Sequence, residues 1–503
     1  MLAANENMQG HQEPDSVWWR RTLQVVGLIL LLRLISLWFN STELFFDEAQ
    51  YWDWGKEPAF GYFSKPPMLG WIIGLFTSVC GDGEFCVRLA SPILHTCTAL
   101  LLYKIAERMF DPRTAFWSAL LYITLPAVTL SSTLISTDVP LLFFWSLALL
   151  ALLRLESDDQ LSDAVLLGIA LGAGLMSKYA MIYFVPCTIL YCLLVPERPH
   201  LLMRRNFWIA MLVAFICVLP NIIWNMQNQF ITASHTGENI GWGSGFPHFK
   251  AFAEFFFSQF GVFGPITFGI FLAAAVRLPV EGMTRAQRFL LCFSVPVIAI
   301  ICFQALMSKA YANWAAVTYI AATVLVADLM VNTIPEFWRR LTLPIHLGVF
   351  AVIAIAVMFS RPGQIPLPED IRPFDRMQGA REISEEAANR ISAGDYAVIL
   401  TDDRRLSALM NYYLRDFDIP KRAWQSRDVP RDHFELVRPY KADPISPVFF
   451  ITDNHNPARI IGNFADAELL GQVDPSAGET DSVWYYALKG YGSVAADDNT
   501  NSQ

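Results

Sequence analysis

Long apolar runs constrain this chain more than any other feature of its sequence. Of its 503 residues, 54% are hydrophobic and 17% are charged, whereas roughly 25% of residues are charged in soluble globular proteins. Apolar windows of about 18 or more residues recur along the chain and predict membrane-spanning helices. We therefore predict an α-helical polytopic membrane protein with about eleven spans. The spans are expected at approximately residues 25–39, 88–107, 114–131, 139–154, 164–177, 179–195, 207–225, 262–277, 288–306, 311–330 and 342–359.

The distribution of basic residues predicts how these spans are oriented. Lysine and arginine cluster in one alternate set of connections, including those at residues 20–21, 104–113 and 339–340. Because cytoplasmic loops carry an excess of lysine and arginine, this side of the membrane is expected to be cytoplasmic. The N-terminal segment 1–21 is then cytoplasmic, and the polar loop 40–87 faces the exported side.

The composition changes from residue 361 onward, where prolines, charges and short β-type runs replace the apolar spans. Strands are predicted at residues 396–400, 448–451 and 483–488. A helical pattern at 404–414 follows the first strand, and this alternation predicts a small exported α/β domain at 361–492. The transmembrane domain is then 22–360, and the polar tail 493–503 is expected to be disordered.

Several classes of protein are disfavoured by what the sequence lacks. The net charge is −9 and no basic stripe is present, which argues against nucleic acid as a partner. No Gly-rich nucleotide loop occurs. The nearest approach to a nucleotide-sugar metal pair is Asp402-Asp403, and a turn after a strand explains that pair equally well. We find no internal repeat of the kind on which many secondary transporters are built.

Two of the eight cysteines stand apart from the apolar runs. Cys80 and Cys86 flank a short polar segment in the exported loop. A disulfide between them fits an oxidising compartment, and two free thiols are the alternative. The other six cysteines lie in apolar runs, where cysteine is most simply a small buried hydrophobic residue.

The loop at residues 40–87 holds the densest group of candidate functional residues. Asp47 and Glu48 are adjacent, and Lys65 precedes two prolines. Neighbouring residues on a helix point about 100° apart, so we expect Asp47 to face a site and Glu48 to orient it. The apolar stretch 66–80 spans only about 22 Å as a helix, against a hydrocarbon core of about 30 Å. It is therefore expected to lie in the membrane interface.

Further polar residues fall on the same predicted face. Asp138 opens a span just before Pro140, which is typical of a helix cap, either alone or combined with a role in a site. Lys178 lies between two apolar runs, where a lysine either pairs with an anion or extends to the interface. Mixed polar groups also occur at residues 234–239 and 309–314. Lysines supply point charges for phosphate, and a carboxylate can act as general base on a hydroxyl. This set indicates a phosphate on a lipid carrier as substrate.

Four of these motifs together resemble a known family. They are Asp47-Glu48 with Tyr51, Lys65-Pro66-Pro67, Arg88-Leu89-Ala90-Ser91 and Thr137-Asp138-Val139-Pro140-Leu141. The set resembles the membrane glycosyltransferases of the GT-C fold, in the group that holds protein O-mannosyltransferases and the aminoarabinose transferases of lipid A. The segments at 235–239 and 259–265 look closer to the rhizobial-type galacturonic acid transferases of lipopolysaccharide.

The resemblance implies inverting transfer of a sugar, with galacturonic acid favoured, from a polyprenyl-phosphate carrier to lipopolysaccharide core or lipid A. The reaction would occur at the periplasmic face of a bacterial inner membrane and without nucleotide. Separately from the resemblance, we expect a monomer. Catalytic roles fall to Asp47, Glu48 and Asp138. Substrate-binding roles fall to Tyr51, Tyr62, Lys65, Lys178, His235, Glu238, Asn239, Lys309 and Tyr311.

The sequence departs from the aminoarabinose transferases at two positions. Ser64 stands where those enzymes carry an acidic residue that contributes to a zinc site, and Gln50 stands where they carry arginine. We therefore predict no metal site and no certain cofactor, although a divalent ion remains compatible with the chemistry. Lys178 and Lys309 are the candidates for replacing the missing cation at the donor phosphate.

Two alternatives remain open on the sequence alone. A protein O-mannosyltransferase would share the motifs and differ in its acceptor. A lipid or sugar transporter would need ionisable residues along a path through the membrane midplane, where Arg33 is the main possible example.

Overall fold

A computed structural model describes residues 15–195, 199–241, 246–361, 374–441, 446–478 and 482–492. The chain divides into two compact units. The membrane unit comprises Met1–Trp38, Arg88–Gln227 and Thr236–Ala354. The loop-and-sheet unit comprises Phe39–Val87, Asn228–His235 and Ile355–Gln503.

The membrane unit is entirely helical in its described part. Its α-helices are Asp15–Trp38, Ala90–Met109, Pro112–Thr124, Pro126–Ser131, Asp138–Asp158, Leu161–Ser177, Phe184–Leu194, Arg205–Gln227, Phe249–Val262, Pro265–Glu281, Arg285–Cys292, Val295–Met307, Thr318–Asn332 and most of Glu336–Met358. Short 3₁₀ helices occur at Tyr179–Tyr183, Pro199–Leu201 and Ala312–Ala315. The helix Ile231–Ile240 belongs partly to each unit. A continuous apolar core runs through the unit and includes the buried Trp145, Tyr103 and Phe263.

Six helical segments of the described chain are long and apolar enough to cross a membrane. They are Ser16–Trp38, Glu84–Met109, Asp138–Asp158, Arg205–Gln227, Arg285–Met307 and Glu336–Met358. A seventh span results if the pair Phe249–Val262 and Pro265–Pro279, which is bent by 115°, is counted as one. The predicted multi-pass helical architecture is confirmed, whereas the count of about eleven spans stays a prediction.

Proline explains why some predicted spans are shorter than their apolar runs. The run predicted at 114–131 is two helices, because the chain leaves helical geometry at Leu125, just before Pro126. A residue before proline is pushed towards extended geometry. The first of these helices begins with Asp111, whose carboxylate accepts hydrogen bonds from the backbone N–H groups of Arg113 and Thr114, before Pro112 at the first helical position. This is a strong helix start.

The loop-and-sheet unit combines the polar loop 40–87 with the C-terminal segment. Its α-helices are Phe46–Lys56, Met68–Cys80, Glu84–Arg88, Ala380–Ser392, Arg404–Tyr413, His433–Val437 and Ala458–Ile461, with a 3₁₀ helix at Asp375–Met377. The last residue of the helix Glu84–Arg88 already belongs to the membrane unit. Its strands are β1 (Val398–Thr401), β2 (Lys421–Ala423), β3 (Val448–Thr452), β4 (Phe464–Val473) and β5 (Val483–Tyr491). The structure joins Cys80 and Cys86 in a disulfide, one of the two alternatives left open by the sequence.

The five strands form one mixed sheet in the order β2-β1-β3-β5-β4. Strand β1 is parallel to both β2 and β3, and β5 is antiparallel to β3 and β4. Its apolar core includes Leu400, Phe450 and Leu488. The predicted C-terminal α/β architecture is therefore confirmed, whereas its bounds as a separate domain, 361–492, stay a prediction. The sequence pattern missed β2, which has only three residues, and β4, whose exposed side chains show no apolar alternation.

The two aspartates at the end of β1 have different roles. Asp403 starts the following helix, and Asp402 is a buried carboxyl group. Asp403 accepts hydrogen bonds from the N–H groups of Arg405 and Leu406 and so caps the following helix. Burial raises the pKa of Asp402 from 3.8 to about 7, and the nearby carboxylate of Asp453 adds to the rise. The turn after the strand, rather than a metal site, accounts for this pair.

We predict that Asp402 makes the C-terminal domain less stable as the pH rises. Because its pKa is higher in the folded chain than in the unfolded chain, its stabilising contribution is present at acid pH and is lost as the pH rises through about 7. The loss amounts to roughly 2–3 kcal/mol between about pH 5 and about pH 8. Asp402→Asn should flatten this dependence in hydrogen exchange of the β1 and β3 amides. A variant with the pH dependence of the wild type would contradict the assignment.

Candidate active site

The helix Phe46–Lys56 carries the two adjacent carboxylates predicted from the sequence. Glu48 is 2% exposed, and its carboxylate accepts a hydrogen bond of 3.0 Å from the backbone N–H of Phe45, which precedes the helix. This bond satisfies an otherwise unpaired donor at the helix start. Glu48 therefore acts on the backbone and orients the helix, whereas the Asp47 side chain is 35% exposed and accessible to a substrate.

Asp47 forms an ion pair with Arg404, which begins the helix after β1. The same guanidinium donates a hydrogen bond of 2.7 Å to the side-chain carbonyl of Gln50, one helical turn beyond Asp47. It also lies over the ring of Phe46 at 5.1 Å. Three contacts thus hold one arginine against the exposed carboxylate. Arg404 supplies a cation beside Gln50, the position where the sequence comparison had left one missing.

Close packing fixes the turn that carries Lys65 to the helix that carries Asp47. A side chain at Gly55 would lie 2.8 Å from the backbone nitrogen of Gly74, so only glycine allows the helices Phe46–Lys56 and Met68–Cys80 to approach this closely. Between them, the ring of Tyr62 stacks on Trp54 at 4.3 Å, and its hydroxyl donates to the Trp54 carbonyl at 2.7 Å. The Tyr62 N–H donates to the carbonyl of Lys65 at 3.2 Å. Lys65 therefore sits on a rigid turn.

The two tyrosines of this loop are largely buried. Tyr62 is 3% exposed and Tyr51 is 6% exposed, and both pack against Trp54. Burial raises the pKa of Tyr62 to about 12. Both rings therefore help to pack the loop, and their role in binding substrate stays a prediction.

A second cluster of polar groups lies in the membrane unit. Lys178 donates a hydrogen bond of 2.7 Å to Asp138, and Asn313 donates one of 2.6 Å to the other carboxylate oxygen. Asp138 is 7% exposed and is the first residue inside its helix, whose N-cap position is Thr137. The interpretation of Asp138 as a helix cap alone is therefore wrong. Of the two alternatives for Lys178, pairing with an anion or extension to the membrane interface, the structure shows the pairing. Opposite charges in this position reduce the cost of burying either one.

The remaining predicted residues are more dispersed. The ring of His235 contacts the edge of Phe63 at 5.4 Å. Glu238 is exposed, and the side chain of Asn239 lies outside the described part. Lys309 is exposed, with its amine 5.7 Å from the ring of Tyr311, itself 57% exposed.

No metal centre is evident in the part of the chain that the structure describes, since no three His, Cys, Asp or Glu side chains come together there. Ser64, which replaces the acidic residue of the aminoarabinose transferases, is 7% exposed and offers no carboxylate. The residues present therefore do not fit a zinc site of that kind.

Sequence reasoning missed two residues of these clusters. Asn313 lies in the polar stretch 309–314, two residues after Tyr311. An asparagine in such a stretch carries no signal that distinguishes it as a site residue. Arg404 is 357 residues from Asp47 along the chain, and no local pattern connects them. Only the absence of arginine at position 50 indicated that a cation had to come from elsewhere.

Comparisons with known proteins show which family this chain resembles. Residues 64–224 match the family model of dolichyl-phosphate-mannose-protein mannosyltransferases. The chain is 36% identical to the lipid A galacturonosyltransferase RgtD of Rhizobium johnstonii over 86% of this chain and 91% of that protein. It is 29% identical to the undecaprenyl phosphate-4-amino-4-deoxy-L-arabinose arabinosyl transferase of Pseudomonas paraeruginosa over 40% of this chain and 39% of that one.

The fold has a solved counterpart. The crystal structure of ArnT from Cupriavidus metallidurans bound to undecaprenyl phosphate superposes with a TM-score of 0.66, at 15% identity, over 94% of this chain and 98% of that one. The apo structure of the same protein gives the same TM-score. The chain therefore belongs to the GT-C membrane glycosyltransferases, in the family of the lipid A galacturonosyltransferase.

Proposed function

We propose that this protein transfers galacturonic acid from a polyprenyl-phosphate carrier to lipid A or lipopolysaccharide core. The observation that carries the proposal is the 36% identity over nearly the full length of a protein named as a lipid A galacturonosyltransferase. The carrier is proposed because an aminoarabinose transferase relative is named for undecaprenyl phosphate and a solved relative binds it. We place the reaction at the periplasmic face of a bacterial inner membrane, with the N-terminus cytoplasmic.

Asp47 is the proposed catalytic carboxylate. In the proposed reaction an acceptor oxygen attacks the anomeric carbon, the bond to the carrier phosphate breaks with inversion, and polyprenyl phosphate leaves with the bonding electrons. When the acceptor is a hydroxyl, Asp47 takes its proton. When the acceptor is a phosphate, no base is needed and Asp47 positions the reactants or stabilises developing charge. Its pairing with Arg404 fixes the carboxylate in one orientation, which favours the positioning role.

Three basic side chains are proposed as candidates for holding the donor phosphate. Lys65 is favoured, since its turn is fixed to the helix of Asp47 and its side chain is partly exposed. Arg404 is a second candidate, because a guanidinium can bind phosphate bidentately. Lys178 is a third candidate, paired with Asp138 as Arg404 is paired with Asp47. Asp138 and Asn313 would act by positioning Lys178.

Protein O-mannosylation is the second candidate function, because the family model that matches residues 64–224 is named for that activity. The two differ in their acceptor, which is a lipid in one case and a secreted protein in the other. A transporter is not favoured by the membrane relatives, which are named as transferases.

Mass spectrometry of lipopolysaccharide from cells with and without this protein tests the proposal. We expect lipid A or core to lose one hexuronic acid residue when the protein is absent, and the fragment that carries the residue names the acceptor. An unchanged lipopolysaccharide, together with loss of hexose from secreted proteins, would favour O-mannosylation instead.

A further inference from the structure

The loop-and-sheet unit contains an open groove that the candidate active site does not use. Its volume is about 330 Å³, and it is lined by the end of the helix Phe46–Lys56 and by side chains between residues 411 and 438. Pockets for small molecules measure about 300–1,000 Å³. The groove is therefore larger than a single inorganic anion needs and suits a headgroup of the size of a sugar.

Positive charge dominates the lining of this groove. The cations are Lys56, Arg415, Lys421, Arg422 and Arg438, against the two carboxylates Asp53 and Glu57. The whole chain, by contrast, has a net charge of −9. A concentration of basic side chains on an acidic protein indicates an anionic ligand.

One arginine, Arg438, forms ion pairs with both carboxylates of the groove lining. Arg438 donates to Asp53 at 2.8 Å and to Glu57 at 2.7 Å. Lys56 pairs at 2.6 Å with Asp82, which lies outside the lining. These ion pairs account for two of the five cations and leave the other three to be explained.

Arg415, Lys421 and Arg422 form no ion pair with a carboxylate anywhere in the described chain. Arg415 donates to the backbone carbonyl of Tyr412 at 2.8 Å, and Lys421 donates to that of Phe417 at 3.1 Å. Burial lowers the pKa of Lys421, and repulsion by Arg438 lowers it further. The carboxylates of Asp418, Asp53 and Asp416 act in the opposite direction. An anion in the groove would relieve this repulsion.

We propose that this groove binds the phosphate group of a phosphorylated sugar headgroup on the acceptor lipid. A phosphate monoester carries up to about two negative charges and three acceptor oxygens, which matches three cations without carboxylate partners. Guanidinium groups bind such oxygens in pairs, and the ammonium group of Lys421 adds a point charge. The assignment of the headgroup to the acceptor rests on the proposed function, whereas the affinity of the groove for phosphate does not.

The test measures binding without any sugar donor, so that it does not depend on transfer. Full-length protein in detergent is titrated with bisphosphorylated lipid A and with the same lipid after removal of its phosphates. The wild type should bind the phosphorylated lipid about 10-fold or more tightly than the other. The double variant Lys421→Gln, Arg422→Gln should lose this preference while its affinity for the dephosphorylated lipid stays unchanged.

Two variants serve as controls for charge and for folding. Arg427→Gln removes an exposed positive charge of the same domain that does not line the groove, and it should keep the preference. The double variant Lys421→Arg, Arg422→Lys conserves charge and should also keep it. Loss of the preference in Arg427→Gln would show a nonspecific charge effect and overturn the proposal.

The source of the phosphate is distinguished by two further probes. Competition by glucosamine 1-phosphate, weakened in the double glutamine variant, would support a site for the sugar phosphate itself. Equal binding of phosphatidylglycerol nanodiscs and lipid A, both lost in the same variant, would assign the groove to the bilayer surface and overturn the proposal. A wild-type preference that persists in the variant would also overturn it. If transfer is absent while the preference behaves as expected, only the proposed function fails.

Discussion

Replacing Asp47 by asparagine is expected to reduce sugar transfer by about 10²–10⁴-fold, the range contributed by a general base. Asparagine has nearly the same shape and can still accept a hydrogen bond from Arg404, but it cannot take a proton and carries no charge. The side chain is 35% exposed, so loss of its ion pair with Arg404 should cost at most about 1 kcal/mol of stability. Transfer by the purified variant and its thermal unfolding are the two measurements.

The neighbouring carboxylate provides the matched comparison. In Glu48→Gln the amide oxygen can still accept the bond from the N–H of Phe45, so transfer should fall by less than about 10-fold. Equal losses in the two variants would mean that the helix start, rather than the Asp47 carboxylate, limits the reaction. A fully active Asp47→Asn enzyme would remove the proposed mechanism.

Lys65→Ala is expected to raise the KM for the polyprenyl-phosphate donor by about 10–100-fold, as for loss of a charge-assisted hydrogen bond to phosphate. Lys178→Ala should raise it less, because Asp138 already pairs with that lysine at 2.7 Å. Its main effect should be on stability, since it leaves the carboxylate of Asp138, 7% exposed, without its cation. Removing one partner of a buried pair costs about 3–5 kcal/mol.

A double variant separates charge from packing at the second cluster. Lys178→Met combined with Asp138→Asn removes both charges and should recover much of the stability lost in Lys178→Ala. The donor KM and the unfolding temperature are measured for each variant. Equal donor affinity of wild type and Lys65→Ala would contradict the phosphate role of Lys65.

The general architecture could be predicted from the sequence because it depends on local signals. Apolar runs predict membrane helices wherever they occur, and the strand and helix patterns after residue 361 led to β1, β3 and β5 with their approximate bounds. Prolines such as Pro126 break helices inside an apolar run, which hydrophobicity alone does not reveal. The exposed strand β4 lacks any alternation and could not be predicted in this way.

The candidate site could be predicted only where its residues share a short stretch of sequence. Asp47, Glu48 and Lys65 lie in one loop, and their contrasting environments follow from the helix angle between neighbours. The partner of Asp47 could not be predicted, because Arg404 comes from the start of a helix in the C-terminal domain. The stacking of Tyr62 on Trp54 could not be predicted either. Such contacts depend on tertiary packing rather than on spacing.

The central claim is that the carboxylate at position 47 performs the transfer of a uronic acid to the acceptor lipid. It is tested most directly in cells that lack the protein and receive either the wild type or Asp47→Asn at equal membrane levels. The lipopolysaccharide is then compared by mass spectrometry. We predict that the wild type restores the hexuronic acid on the lipid and that the variant does not. Full restoration by the variant would contradict the account.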